Sequence, residues 1–274
     1  MGKEKRGLIR NFVDVDHADS EELISRLDLL QTLDFFQNFK RESFERMGAG
    51  PGKHLADIGC GPGDDVRKLA DLVGETGSVV GFDVSESMVE EAKARHAEAS
   101  LPISFKQSPA HNLACPDQSF DGVRSDRLYL YLDHPLAALA EAKRVVKPGG
   151  RVVVVEPDLE GVWFDNSLCS TTRKMIHALS DSVPNGRVGC QLYRLFRDVG
   201  LENIRLDLCP WVTADWALFD KIFHFRGIAE AAIAEGELTE AESDQWFGEM
   251  EERKRADRIL GGLTLFLVVG QKPQ

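Results

Sequence analysis

Three glycines at alternate positions, Gly59, Gly61 and Gly63, follow an apolar run and precede a stretch with helical periodicity. Glycines at such a turn let the backbone bend sharply and let a ligand approach with no Cβ in the way. In an open α/β sheet, strand–helix turns of this kind form the crevice in which nucleotides bind. Two acids flank the turn. Asp57 lies just before it, and Asp83 lies about twenty residues on, where an acid accepts hydrogen bonds from ribose hydroxyls. A dinucleotide fingerprint requires a glycine where this chain has Asp64. A carboxylate beside a pyrophosphate is repelled, whereas Asp64 and Asp57 suit a cationic sulfonium or an amino group. The set favours an adenosyl ligand without phosphates over a nicotinamide dinucleotide. A plain tight turn would explain the glycines but not the acids.

The surrounding pattern supplies the elements that would hold these residues. Apolar positions Leu23, Leu27, Leu30, Leu33, Phe36, Phe39 and Phe44 recur at three or four and predict an amphipathic helical segment over 20–47, in two pieces. Strands over 53–58, 78–82, 103–106, 120–124 and 151–156 then alternate with helices over 64–73, from Ser85 onward, and over 135–146, which Pro135 opens. The run from Arg151 to Glu156 is the most apolar strand, as expected for a parallel sheet covered on both faces. Beyond Pro157, helices are expected over 165–183, 188–199 and most of 213–256, with strands over 203–208 and 262–270. The fold class is therefore α/β, a Rossmann-like doubly wound sheet with a helical N-terminal segment and helical cap insertions. One domain, 1–274, is expected: the N-terminal helical segment over 1–50, a cofactor-binding core over 51–160, and the rest of the sheet with a helical lid over 161–274.

Composition narrows the partners. The 274 residues carry a net charge of -12 and no long Lys/Arg run, which argues against nucleic acid and anionic membrane as partners. No stretch approaches the roughly 20 apolar residues of a membrane span, and Met1–Arg6 is charged with no apolar region after it. The five cysteines are odd in number and form no CxxC pair, so neither a disulfide framework nor a zinc site is expected, and no metal. These features predict a cytoplasmic protein acting on a small molecule. The oligomeric state stays open, with a homodimer as one option.

Four runs in order carry a family resemblance: Leu55–Gly63, Val80–Ser85, Pro116–Asp121 and Glu141–Gly150. Together they resemble the class I S-adenosylmethionine (SAM)-dependent methyltransferases, in particular the broad group called methyltransferase type 11. The resemblance implies a seven-stranded sheet with the last strand antiparallel. It implies that Asp57, Gly59, Cys60 and Gly61 line the methionine end of SAM and that Asp83 binds the ribose. Val84 and Met88 would pack on the adenine, and Ser125 and Arg127 would approach the amino-acid end. Pro109 stands where relatives carry an adenine-binding Asp, so backbone groups of Ala110 and His111 are expected to replace that contact.

Chemistry belongs at the carboxyl ends of the strands. Tyr129, Tyr131, His134, Glu156 and Asp158 fall there and could act as base or orienter, with Tyr129 and Glu156 the leading catalytic candidates. His134 reads more readily as a solvent-exposed or cap-like residue. In the lid, Trp163, Phe164, Trp211, Trp216, Phe219, Phe223 and Phe225 could line an apolar acceptor pocket, although aromatics at helical spacing are more often core. His224, between two phenylalanines, is the third catalytic candidate. The leading expectation is methyl transfer to O, N or C of a small, partly apolar metabolite. The alternatives are a SAM- or partner-binding protein without catalysis, a nicotinamide dehydrogenase, and arsenite methylation through Cys169, Cys190 and Cys209, whose spacing resembles no metal site.

Overall fold

A computed structural model describes residues 12, 15–17, 20–99 and 101–274. The charged stretch Met1–Arg6 lies outside them.

The core sheet grows outward from β1 (His54–Ile58). On one side it pairs in parallel with β2 (Ser78–Asp83), and β2 with β3 (Ile103–Gln107). On the other side it pairs in parallel with β4 (Phe120–Asp126), and β4 with β5 (Val146–Pro157). The later chain completes the sheet. β8 (Gly261–Gln271) runs antiparallel to β5 on one side and to β7 (Glu202–Thr213) on the other. Among the described residues the sheet has eight strands, where seven are expected. The addition is β6 (Trp163–Phe164), two residues that pair with Gly261 and Gly262 of β8 just beyond the end of β5. So short a pairing has no alternation to read in the sequence.

Helices follow the periodicity closely. α1 (Ser20–Gln31) and α2 (Asp34–Met47) form the N-terminal segment, and α2 stops at Gly48, whose φ of 81° is one that glycine adopts without strain. α3 (Asp64–Val73) begins directly after the glycine turn. α4 (Glu86–Arg95) is capped by Ser85, whose hydroxyl accepts from the Met88 amide. α5 (Pro135–Val145) starts on its proline. α6 (Cys169–Asp181) and α7 (Val188–Asp198) follow β6, and α8 (Trp216–Phe223), α9 (Phe225–Ala234) and α10 (Glu240–Arg255) follow β7. Residues 152–157 of β5 are all buried, which requires cover on both faces of the sheet.

A second apolar cluster sits in the cap. Phe164 meets Trp216, Phe219, Phe225 and Trp246 at centroid distances of 4.9–5.9 Å. Among the described residues no helix is long and apolar enough to cross a membrane.

Candidate active site

The glycine turn is tightly packed against its neighbours. Gly59, Gly61 and Gly63 have φ of 73°, 51° and 87°, a region closed to most side chains. A Cβ on Gly63 would fall 2.8 Å from the Phe105 ring, and one on Gly59 would fall 3.0 Å from Leu128. The amides of Gly59 and Cys60 both donate to the Phe82 carbonyl, at 2.7 and 3.0 Å, which ties the turn to the end of β2. Asp83 completes that tie: its carboxylate accepts from the Gly61 amide at 2.8 Å and the Ser85 amide at 3.0 Å. Burial pushes the Asp83 carboxyl up, and these amides oppose the push.

A cavity opens beside this turn at the carboxyl ends of the strands. Following the strand order, its wall passes from Asp83, Val84 and Met88 through Gly59 to Asp126 and Arg127, then to Tyr131, Pro157 and Leu265. The N-terminal helices supply Arg26, Leu27, Leu30 and Phe36, and α8 supplies Lys221, Ile222 and Phe223. Phe12 and Val15 also line it. Asp16 anchors that segment: its carboxylate accepts from the Ser85 hydroxyl (2.6 Å), the Ser87 hydroxyl (2.7 Å), and the amides of Glu86 (3.0 Å) and Ser87 (3.1 Å). Burial would raise the Asp16 carboxyl, but these donors at the start of α4 hold it down at about 2.

Beneath the cavity floor lies a buried ionic network. Arg124, fully buried, donates to Asp57 at 2.9 Å, to Asp126 at 3.1 Å and to the Ser43 hydroxyl at 2.7 Å, and pairs with Asp65 at 3.1 Å. Lys40 donates to Asp65 at 2.6 Å, and Arg127 donates to Asp126 at 3.1 Å. Burial disfavours charge on Arg124, but the three carboxylates keep it cationic. Burial pushes Asp57 up, while Asp65 is held low against its own burial by Lys40 and Arg124. The network joins α2, β1, α3 and β4, so it fixes the N-terminal helices on the sheet. Removing one partner of such a buried set costs about 3–5 kcal/mol.

Several expected site residues are brought together: Gly59, Asp83, Val84, Met88 and Arg127 share the cavity wall. Others are not. Asp57 turns its carboxylate to Arg124. Cys60 and Ser125 are buried, and burial raises the Cys60 thiol. Pro109, Ala110 and His111 form a turn beside β2, joined to it by the Ser108 amide donating to the Asp83 carbonyl at 2.7 Å, and do not line the cavity.

The three catalytic candidates all lie off the cavity wall. Tyr129 is 1% exposed, and burial pushes its hydroxyl above the usual range. Glu156 is fully buried, and one of its oxygens accepts from the amides of Leu128 (2.6 Å) and Tyr129 (2.5 Å). Its other oxygen has no hydrogen-bond partner among the described residues, and burial raises this carboxyl to about 8. Glu156 thereby ties the turn of residues 128–129, which leads into Tyr131, to the end of β5. His224 is exposed at the α8–α9 junction with φ 56°, where the backbone reversal turns it outward. Of the cap aromatics, Trp211 and Phe223 reach the cavity. Phe164, Trp216, Phe219 and Phe225 pack among themselves. Cys169 and Cys190 are exposed on α6 and α7, and no metal-holding group of His, Cys, Asp or Glu occurs among the described residues.

Residues 49–227 match the family model of a methyltransferase domain. The chain is 33% identical over 249 residues to the uncharacterized 37.1 kDa protein in transposon TN4556 of Streptomyces fradiae, covering 90% of this chain and 71% of that one. It is 38% identical over 120 residues to the ubiquinone/menaquinone biosynthesis C-methyltransferase of Ectopseudomonas mendocina, covering 43% of this chain and 47% of that one, so the match spans about half of that relative. Among solved structures, the YcgJ protein of Bacillus subtilis superposes with a TM-score of 0.63 at 18% identity, over 87% of this chain and 99% of that one. Phosphoethanolamine N-methyltransferase 2 of Haemonchus contortus, in complex with S-adenosyl-L-methionine, superposes with a TM-score of 0.62 at 19% identity, over 98% of this chain and 60% of that one.

Proposed function

The chain belongs to the class I SAM-dependent methyltransferases, and from that premise we propose that it methylates O, N or C of a small, partly apolar metabolite by in-line displacement. The observation that carries this reading is the cavity that runs without a break from Asp83 to Leu265 under α1 and α8. One end suits the cofactor. Asp83 keeps acceptor capacity for ribose hydroxyls, Val84 and Met88 offer apolar surface to a purine, and Gly59 lines the wall between them and Leu128. SAM supplies an electrophilic methyl on a sulfonium. The other end, walled by Leu30, Phe36, Leu263 and Leu265, suits an apolar acceptor body.

In this reading the protein acts chiefly by holding the acceptor in line, which can supply roughly 7–11 kcal/mol of the barrier. The ionic network makes that holding rigid, because Arg127 is fixed by Asp126 and stacks on the Phe36 ring at 5.2 Å. The helices of 20–47 and the segments after 160 form one domain with the core and cover the crevice. Titration calorimetry with S-adenosylhomocysteine, followed by a radiolabelled methyl-transfer screen of aromatic and aliphatic small molecules, tests the proposal. Turnover confined to peptide or nucleic-acid acceptors would sink it.

A further inference from the structure

Among its apolar residues the cavity wall carries cationic and phenolic groups, Arg26, Lys221 and Tyr131. Arg26 on α1 gives one guanidinium nitrogen, Nη2, to the Ile222 carbonyl on α8. Its other nitrogen, Nη1, is buried and has no hydrogen-bond partner among the described residues. Tyr131 lies on the same wall, and the Phe12 ring contacts both, 5.9 Å from the guanidinium carbon and 5.6 Å from the Tyr131 ring. Lys221 adds a second cation, exposed on the helix that Arg26 touches.

Among the described residues the wall carries two carboxylates, Asp83 and Asp126, and Glu22, one turn earlier on α1, acts on Arg26 by charge attraction. Asp83 stands at the cofactor end, where it accepts from the Gly61 and Ser85 amides. Asp126 is taken up by Arg124 and Arg127. Among the described residues no imidazole lines the cavity. A buried charged donor without an acceptor is unfavourable, so such a group calls for a partner, and on a cavity wall a ligand can be that partner.

We propose that the methyl acceptor carries an oxyanion on its apolar body, a carboxylate or an ionised phenol or enol, and that Arg26 Nη1 together with the Tyr131 hydroxyl binds it. This rests on the acceptor-pocket reading above. A guanidinium bond to an oxyanion in a desolvated site is charge-assisted and directional, so it fixes orientation as well as affinity. An acceptor that arrives as an oxyanion also needs no general base to remove a proton from that oxygen. An ammonium acceptor is disfavoured by the same charges.

The test uses the full chain saturated with S-adenosylhomocysteine and four probes of similar shape: naphthoate, dinitronaphtholate, neutral naphthalenemethanol and naphthylmethylammonium. At least one anion should bind tenfold or more tighter than the alcohol, and the ammonium should bind weakest. Which anion wins separates a carboxylate from a phenolate or enolate. Arg26→Met should erase the anion preference while S-adenosylhomocysteine affinity stays within threefold, and Arg26→Lys should restore part of it. An alcohol that binds as tightly as both anions, or a preference that survives Arg26→Met, overturns the proposal. If Arg26→Met fails to fold, the wild-type comparison decides alone. Failure of all four probes to bind would remove the acceptor pocket itself, and the oxyanion with it, an outcome distinct from equal binding.

Discussion

Replacing Glu156 by Gln separates an anchor from a base. In the folded chain one Glu156 oxygen takes two amides and the other has no partner among the described residues, and burial raises the carboxyl from 4.5 to about 8. In the unfolded chain it titrates near the lower value. Below that value both states are protonated, and the folded form keeps its full advantage. Between about 4.5 and 8 the unfolded chain ionises while the folded chain does not, so stability falls as pH rises, at up to about 1.4 kcal/mol per pH unit. Above that window the loss is complete. Gln keeps the oxygen that accepts both amides and does not titrate. Urea denaturation at pH 5, 6, 7 and 8 should give nearly equal stabilities for wild type and Glu156→Gln at the acid end, with the gap widening in favour of Gln toward pH 8. Turnover of any accepted substrate should change by less than about threefold, whereas loss of a general base costs about 10²–10⁴-fold. Parallel stability profiles, or a hundredfold loss of turnover in a folded variant, would refute the anchoring role.

Other expectations follow from the same geometry. Asp83→Ala should weaken S-adenosylhomocysteine binding by about 10–100-fold in calorimetry, since charged hydrogen bonds contribute about 1.5–3 kcal/mol. Gly63→Ala places a Cβ 2.8 Å from the Phe105 ring at φ 87° and should lower stability by about 1–3 kcal/mol; Gly50→Ala, with nothing within 4 Å, is the control with no change in melting temperature. Asp16→Ala removes four contacts to the start of α4 and should speed S-adenosylhomocysteine release about fivefold in stopped-flow, matching about 1 kcal/mol for a lost helix cap.

What the sequence discloses here is local. The Ser85 cap, the α3 boundaries and the placement of Asp83 at the end of β2 all follow from residues within a few positions of one another. What it hides is made by distant pairs. Arg26 meets Ile222 across 196 residues, Asp16 meets Ser85 across 69, and Arg124 meets Ser43 across 81. Nothing in the spacing marks Lys40 as a buried cation, because on α2 it reads as one more polar position between phenylalanines. Glu156 is the instructive case. Its location at a strand's carboxyl end is readable, but its role depends on the turn of residues 128–129 folding back to give it two amides. The apolar spacing of Leu27, Leu30 and Phe36 could have named them as cavity wall, had the N-terminal helices been assigned to the crevice.

The position of β8 also shapes how the protein is made. β5 carries four consecutive valines, Val152 to Val155, and β8 covers one of its two hydrogen-bonding edges. More than a hundred residues separate the end of β5 from the start of β8. A ribosome adding about 5–20 residues per second leaves that uncharged, valine-rich edge open for at least about 5–20 seconds. Such a segment is a template for misassociation. Recombinant yield should therefore respond to chaperone supply and growth temperature, even in variants whose finished fold is as stable as the parent's.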